Sequence, residues 1–201
     1  MSSACGSTRE HIRLQRELQD IKKAIIDNVS AYVVDGDIYH WIGYIKGPIG
    51  TVYEEGHFNL DIHIPEDYPY NPPKIKFLTK IWHPNISSET GAICLDILKN
   101  EWSPALTIRT VLISIQALLS APEPDDPQDA EVAKMYLRDI KEFENTARLW
   151  VKTFARKNDE QHDDKINKIV EIGFTREQAE KALSVNNWDE TIALNYLLES
   201  T

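Results

Sequence analysis

The sequence predicts an α+β protein in which helices flank one small antiparallel sheet, followed by a compact three-helix bundle. Three observations predict it. Apolar residues at helical spacing enclose a stretch, residues 31–77, where the period drops to two. The turns inside that stretch are too short for a parallel crossover, so its four strands form a meander. A run without any apolar residue, 156–164, then sets off three short helical patterns.

Ser7-Thr8-Arg9-Glu10 reads as a capping box with Ser7 as N-cap. Leu14, Leu18, Ile21 and Ile25 form one stripe, which predicts a helix over about residues 8–26. Arg9, Arg13 and Arg16 sit off that stripe, on a face that is either solvated or open to an acidic partner. Tyr32, Val33 and Val34, then residues 38–45, 58–64 and 74–78, read as strands. Asp35-Gly36, Gly47-Pro48 and Glu55-Gly56 mark turns. One sheet face is expected to pack on the first helix.

Four prolines within residues 65–73 exclude a helix there. Residues 78–106 are long and irregular, which inside a compact domain points to function. Helices return over 108–120, with Val111, Leu112, Ile115, Leu118 and Leu119 as the buried stripe. A third starts near Pro127 and runs to about residue 137, and a fourth spans about 139–155 with Phe143, Ala147, Trp150 and Phe154 on one face. Ile166, Ile169 and Val170 begin the bundle, and Gly173 breaks that helix. Thr175-Arg176-Glu177-Gln178 opens the next as a capping box, and Asp189 caps the last, which carries Ala193, Leu194, Leu197 and Leu198. The expected division is a core over 1–155, a linker over 156–162 and the bundle over 163–201.

The length, 201 residues, suits one domain and a small second one. A net charge of −10 argues against nucleic acid as the main partner, since phosphate binding needs a basic face. Ten acidic against four basic residues in 159–201 make the tail acidic, which attracts a basic surface or only solubilises. No apolar run reaches the roughly 18 residues of a membrane span, and the first residues lack an apolar signal core. Ser2 follows Met1, so the myristoylation pattern fails. Two cysteines, Cys5 and Cys94, suggest no structural disulfide and a reducing cytoplasmic or nuclear setting.

The most informative feature is His83-Pro84-Asn85 followed by Cys94 within Gly91-Ala92-Ile93-Cys94-Leu95-Asp96-Ile97-Leu98. The residues alone leave three readings. Cys94 is a small buried hydrophobe. Or it is the nucleophile of a cysteine–histidine hydrolase, which wants a histidine base and an orienting group. Or it joins His57, His63 and His83 at a metal, although no short ligand spacing is present.

Here the sequence resembles the ubiquitin-conjugating enzymes. The resemblance runs in order over residues 7–155: Arg13-Leu14-Gln15-Arg16-Glu17-Leu18, Trp41, Gly47-Pro48, Tyr68-Pro69-Tyr70-Asn71-Pro72-Pro73, His83-Pro84-Asn85-Ile86, the Cys94 segment, Trp102-Ser103-Pro104 and Pro122-Glu123-Pro124-Asp125-Asp126-Pro127. The tail is similar to a ubiquitin-associated (UBA) domain, with Ile172-Gly173-Phe174 as its first loop and Leu197-Leu198 near its end. That pairing resembles the subclass with a C-terminal UBA domain.

The resemblance implies acyl transfer without a cofactor or metal. Cys94 takes the C-terminal glycine of ubiquitin from the activating enzyme as a thioester and passes it to a lysine amine, building polyubiquitin chains. A thiolate suits both steps, as strong nucleophile and good leaving group. Similarity assigns Asn85 as oxyanion donor or loop brace, His83 as a brace grouped with the catalytic residues, and Asp126 as the gate carboxylate for the acceptor amine, with Asp125 as fallback. Arg13 and Arg16 would meet the activating enzyme. Tyr70, Ser103, Pro104 and Ala105 would meet RING or HECT ligases. Ile113, Ser114 and Ala117 would lie against the thioester-linked ubiquitin, and Ile172, Gly173, Phe174 and Leu198 would bind ubiquitin in the tail. Protein substrates complete the expected partners, with no nucleic acid and no membrane.

Departures from the family pattern are Glu123 where Asn is common, Tyr70 for Phe, Val52-Tyr53-Glu54-Glu55-Gly56 in the usual Pro-Tyr-Glu-Gly-Gly turn, and Ile172 for Met. A non-catalytic ubiquitin-binding protein with this fold, or an enzyme charged with another ubiquitin-like modifier, stands as the alternative. Inactive variants of the fold usually lack the cysteine that is present here.

Overall fold

The computed structural model describes residues 9–23, 28–156, 158–185 and 190–199. Ser7, Thr8 and Ile25 of the expected first helix, Cys5 and the Asp189 cap lie outside the described residues. The chain divides into two compact units, Met1–Ala155 and Arg156–Thr201.

In the first unit, helix α1 (Arg9–Lys23) precedes strands β1 (Val29–Val34), β2 (Asp37–Lys46), β3 (His57–His63) and β4 (Lys74–Phe77). The strands pair antiparallel in the order β1-β2-β3-β4, the expected meander. Register puts the apolar residues of all four strands in shared rows. Val29 faces Ile45 and Ile45 faces Phe58; Ala31, Gly43, Leu60 and Phe77 make the next row. Period-two alternation sends that whole set to one side. There Leu14 and Ile21 of α1 join it, with Ile108, Val111, Leu112 and Ile115 of helix α2 (Ile108–Ser120). A Cβ on Gly43 would lie 2.9 Å from both Ile62 Cδ1 and Leu112 Cδ2, so the absent side chain lets α2 settle on the sheet.

One polar residue occupies the core face of α1. Glu17 is only 6% exposed. Its carboxylate accepts from Tyr68 Oη (2.9 Å), Arg13 Nε (2.7 Å) and the Ile108 N–H (2.8 Å). It thereby occupies a free donor at the start of α2. Thr107 and Thr110 complete the start with a reciprocal capping box.

Helix α3 (Ala130–Arg138) starts later than the sequence suggests. Its cap is Asp129, whose side chain accepts from Val132 N. The N–H groups of Gln128 and Asp129 both point at the Pro84 carbonyl, which bends the preceding residues onto the 83–88 loop. Helix α4 (Ile140–Phe154) buries Phe143, Ala147 and Val151, while Phe154 is exposed.

The second unit holds α5 (Asn158–Glu171), α6 (Arg176–Val185) and α7 (Glu190–Glu199). Most of the expected linker is therefore helical. Lack of apolar residues denies burial to a segment, but Asp, Glu and Gln do not oppose a helix that an amphipathic continuation stabilises. Ile166, Ile169, Ala179, Ala182, Leu183, Ala193 and Leu197 form its core. Thr175 and Gln178 make the expected reciprocal cap, Gln178 N to Thr175 Oγ1 at 3.2 Å and Thr175 N to Gln178 Oε1 at 2.9 Å.

Candidate active site

The cysteine loop is pinned to the sheet by glycine. Gly91 has φ +74°, and a Cβ there would sit 2.0 Å from the Phe77 carbonyl oxygen. That close approach lets Phe77 N–H reach Gly91 O (2.8 Å) and carries the chain to Cys94. Ile86, fully buried, bridges to Ile93, and the Cys94 N–H donates to Asn85 O at 2.9 Å. The motif's two halves are thus joined by an isolated bridge and the adjacent Cys94–Asn85 bond.

Cys94 is a free thiol, 8% exposed. Its Sγ lies 3.5 Å from Asp126 Oδ2 and accepts from Lys99 Nζ at 3.1 Å. Both neighbours are exposed side chains. The sulfur is therefore reached by two charged side chains that are themselves open to solvent. The Lys99 pKa is raised, first by the hydrogen bond to Cys94 and then by the charge there. Lys99 was missed by sequence reasoning; its only signal was a lysine five residues past the cysteine. Asp125 has no such contact, so the structure favours Asp126 at the sulfur.

His83 is wholly buried. Its Nδ1 accepts from the Asn85 N–H at 3.0 Å, so in the neutral ring Nε2–H is the donor to Leu118 O, 3.1 Å away. Burial pushes its pKa down to about 4, against a smaller upward pull from Leu118. Both nitrogens are occupied, an arrangement that braces the loop and leaves no free nitrogen to act as a general base. The metal reading of His83 with Cys94 loses its nitrogen ligand for the same reason.

Asn85, 2% exposed, spends its amide on the opposite loop. Nδ2 donates to Glu123 O (2.8 Å) and Asp126 O (2.9 Å), and Oδ1 accepts from Glu123 N (2.8 Å). This is the bracing arrangement. It fixes Asp126 beside the sulfur, and an oxyanion role requires one of those donors to turn. Asp129 strengthens the same junction by accepting from Ser88 N and Oγ.

The remaining expected residues fall on three surfaces. Trp102 Nε1 donates to Pro69 O at 2.7 Å, which gathers exposed Tyr70 with exposed Ser103, Pro104 and Ala105. Ile113 and Ala117 are exposed, and Ser114 half-buried, on the outward side of α2. Arg16 is exposed, but Arg13 is held by Glu17 and by Leu106 O (2.8 Å). In the second unit Ile172 and Leu198 are 58% and 60% exposed. Phe174 is half-buried against the small core, and Gly173 has φ +119°. Leu198 is thus open to solvent, while the adjacent Leu197 is buried.

The family profile described as "Ubiquitin-conjugating enzyme" matches residues 13–151. The chain belongs to that family. A second profile, "UBA/TS-N domain", matches residues 161–197. Relatives agree over nearly the whole length. The chain is 50% identical over 186 residues to Ubiquitin-conjugating enzyme E2 27 of Arabidopsis thaliana, covering 92% of this chain and 96% of that protein. It is 47% identical over 193 residues to Ubiquitin-conjugating enzyme E2 K of Homo sapiens, covering 94% and 96%. Among solved structures, the E2 domain of a Toxoplasma gondii ubiquitin conjugating enzyme superposes with a TM-score of 0.71 at 66% identity. It covers 74% of this chain and all of that one. The protein is a ubiquitin-conjugating enzyme with a C-terminal UBA-type unit. Among the described residues no helix is long and apolar enough to cross a membrane.

Proposed function

We propose that Cys94 is the residue that carries ubiquitin as a thioester and hands it to lysine amines, building polyubiquitin chains. The observation that carries this is the approach of both Lys99 Nζ and Asp126 Oδ2 to Sγ, at 3.1 and 3.5 Å. The Lys99 ammonium stabilises negative charge on sulfur, as nucleophile during loading and as leaving group during discharge. Asp126 orients the incoming amine and takes its proton as the carbonyl is attacked. No histidine base is needed, and none would help, because a water-activating group would hydrolyse the thioester.

The exposed Tyr70 and 103–105 surface receives a RING or HECT ligase, and α1 with Arg16 receives the activating enzyme. The outward side of α2 holds the linked ubiquitin. Ile172, Phe174 and Leu198 supply the apolar contact by which the tail holds a second ubiquitin. Incubation with activating enzyme, ubiquitin and ATP should yield a thiol-labile adduct that Cys94→Ala abolishes. No adduct on the wild type, or one that survives Cys94→Ala, overturns the proposal. A preference for another ubiquitin-like modifier in competition would reassign the cargo and leave Cys94 in place.

A further inference from the structure

The sheet has a second face, turned away from the core, and the thioester chemistry does not use it. On it His40 of β2 and His63 of β3 are direct cross-strand partners. Asp61 lies two residues before His63 and so shares that face. Both Nε2 atoms converge on its carboxylate, His40 at 2.7 Å from Oδ1 and His63 at 3.2 Å from Oδ2. The two rings stack with centroids 4.3 Å apart and planes 10° apart.

We propose that His40, Asp61 and His63 form a divalent transition-metal site on the outer face of the sheet. The three donor atoms lie within 4.8 Å of one another. Two ligands on one tetrahedral zinc ion, each at about 2.1 Å, stand about 3.4 Å apart. Assembly therefore needs a contraction of up to about 1.4 Å, which turns of the half-buried His40 and exposed His63 imidazoles toward the Asp61 carboxylate provide. Two nitrogens and one carboxylate oxygen suit Zn²⁺, Cu²⁺ or Ni²⁺ and disfavour Mg²⁺ and Ca²⁺, which take oxygen ligands. Asp61 is itself only 8% exposed, and with three protein donors the fourth position, on the side of the partly exposed imidazoles, is left to water.

The backbone preorganises the set. Register, not side-chain choice, holds His40 opposite His63, and the strand period places Asp61 beside them. The ion would tie β2 to β3 on the side opposite the apolar rows. One cation competes for the carboxylate. Lys76 Nζ, on β4, lies 3.5 Å from Asp61 Oδ2, with its side chain 53% exposed and able to swing away. Lys74 of β4 is the cross-strand partner of His63 and adds a second nearby cation.

The test is a zinc chloride titration of the full chain carrying Cys5→Ser and Cys94→Ser, which removes competing thiols. It is followed by calorimetry and by nitrogen-15 spectra of the six histidine rings. The proposal expects one equivalent bound, ring shifts confined to His40 and His63, and a Tm that rises with zinc. His63→Gln, at a side chain 56% exposed, should weaken binding about tenfold or more, since even outer partners of a ligand cost about that much. Lys76→Ala should tighten binding, a change that misfolding cannot mimic. Absence of binding at millimolar zinc, shifts at His11, His57 or His83 instead, or equal affinity in His63→Gln overturns it.

Discussion

The Asn85 side chain and the Glu123 main chain hold each other through two reciprocal hydrogen bonds, Nδ2 to the carbonyl and the Glu123 N–H to Oδ1, both 2.8 Å. A third, from Nδ2 to Asp126 O, extends the clasp to the residue whose carboxylate meets the sulfur. Asn85→Ala should therefore lower stability by about 2–4 kcal/mol, from three bonds worth roughly 1 kcal/mol each. It should also slow discharge to lysine more than loading, because it both frees Asp126 and removes an amide donor. Urea midpoints and single-turnover assays measure the two effects; equal slowing of both steps would leave only structural damage.

His83 supplies a pH dependence whose sign follows from its burial. Its folded pKa, about 4, lies below the ordinary 6.5, so the unfolded chain binds the proton more readily. The contribution is full above pH 6.5 and is lost as pH falls toward 4, by about 3 kcal/mol at roughly 1.4 kcal/mol per unit. In His83→Gln, urea midpoints between pH 6.5 and 4 should fall less steeply than in the wild type. An unchanged slope would contradict the neutral buried ring.

Lys99 owes its raised pKa first to Cys94 and then, against slight desolvation, to Asp126 and Asp96. Removing the sulfur in Cys94→Ala should lower the Lys99 titration midpoint, because the charged form loses its main partner. Asp126→Asn should lower it less. Side-chain nitrogen NMR reads both, and identical midpoints in the three proteins would refute the contact.

Glu17 and Arg13 separate folding from partner binding. Glu17→Ala leaves Tyr68 Oη and the Ile108 N–H without their acceptor in the core, for an expected loss of about 2–4 kcal/mol. Arg13→Ala should cost less, since its guanidinium is partly solvated. A loading defect in Arg13→Ala therefore mixes two causes, whereas Arg16→Ala, at an exposed position, reports on the activating enzyme alone. Thermal melts beside loading rates test the distinction.

The two apolar cores have no residue in common. Deleting residues 160–201 should accordingly leave thioester formation near the wild-type level while weakening noncovalent ubiquitin binding. Ile172→Asp and Leu198→Asp, in exposed positions, should weaken that binding with little change in Tm. Loss of loading in the truncated protein would show that the tail supports the core.

Periodicity made the sheet and most helices legible, because burial on one face imposes a repeat of two or 3.6 that is written locally. The Thr175–Gln178 cap was legible for the same reason: both partners sit within one turn. Local pattern failed where the partner was remote. Nothing in the apolar stripe of its helix marked Glu17, and only the arrival of Tyr68 and Ile108 makes it a buried acceptor. The start of α3 looked like Pro127, and the Pro84 carbonyl delays it to Ala130.

The same boundary runs through the active site. Residue types and their order along the chain left Cys94 with three readings, and it was the resemblance to the ubiquitin-conjugating enzymes that assigned Asn85 and Asp126 beside it. Which carboxylate reaches the sulfur, that Lys99 also contacts it, and that the Asn85 amide is clasped to residues 123 and 126 follow from how the fold sets the loops. Apart from Lys99, five positions from Cys94, those contacts join residues 32 to 41 positions apart, and no local repeat encodes them; they exist only once the core has set the loops' positions.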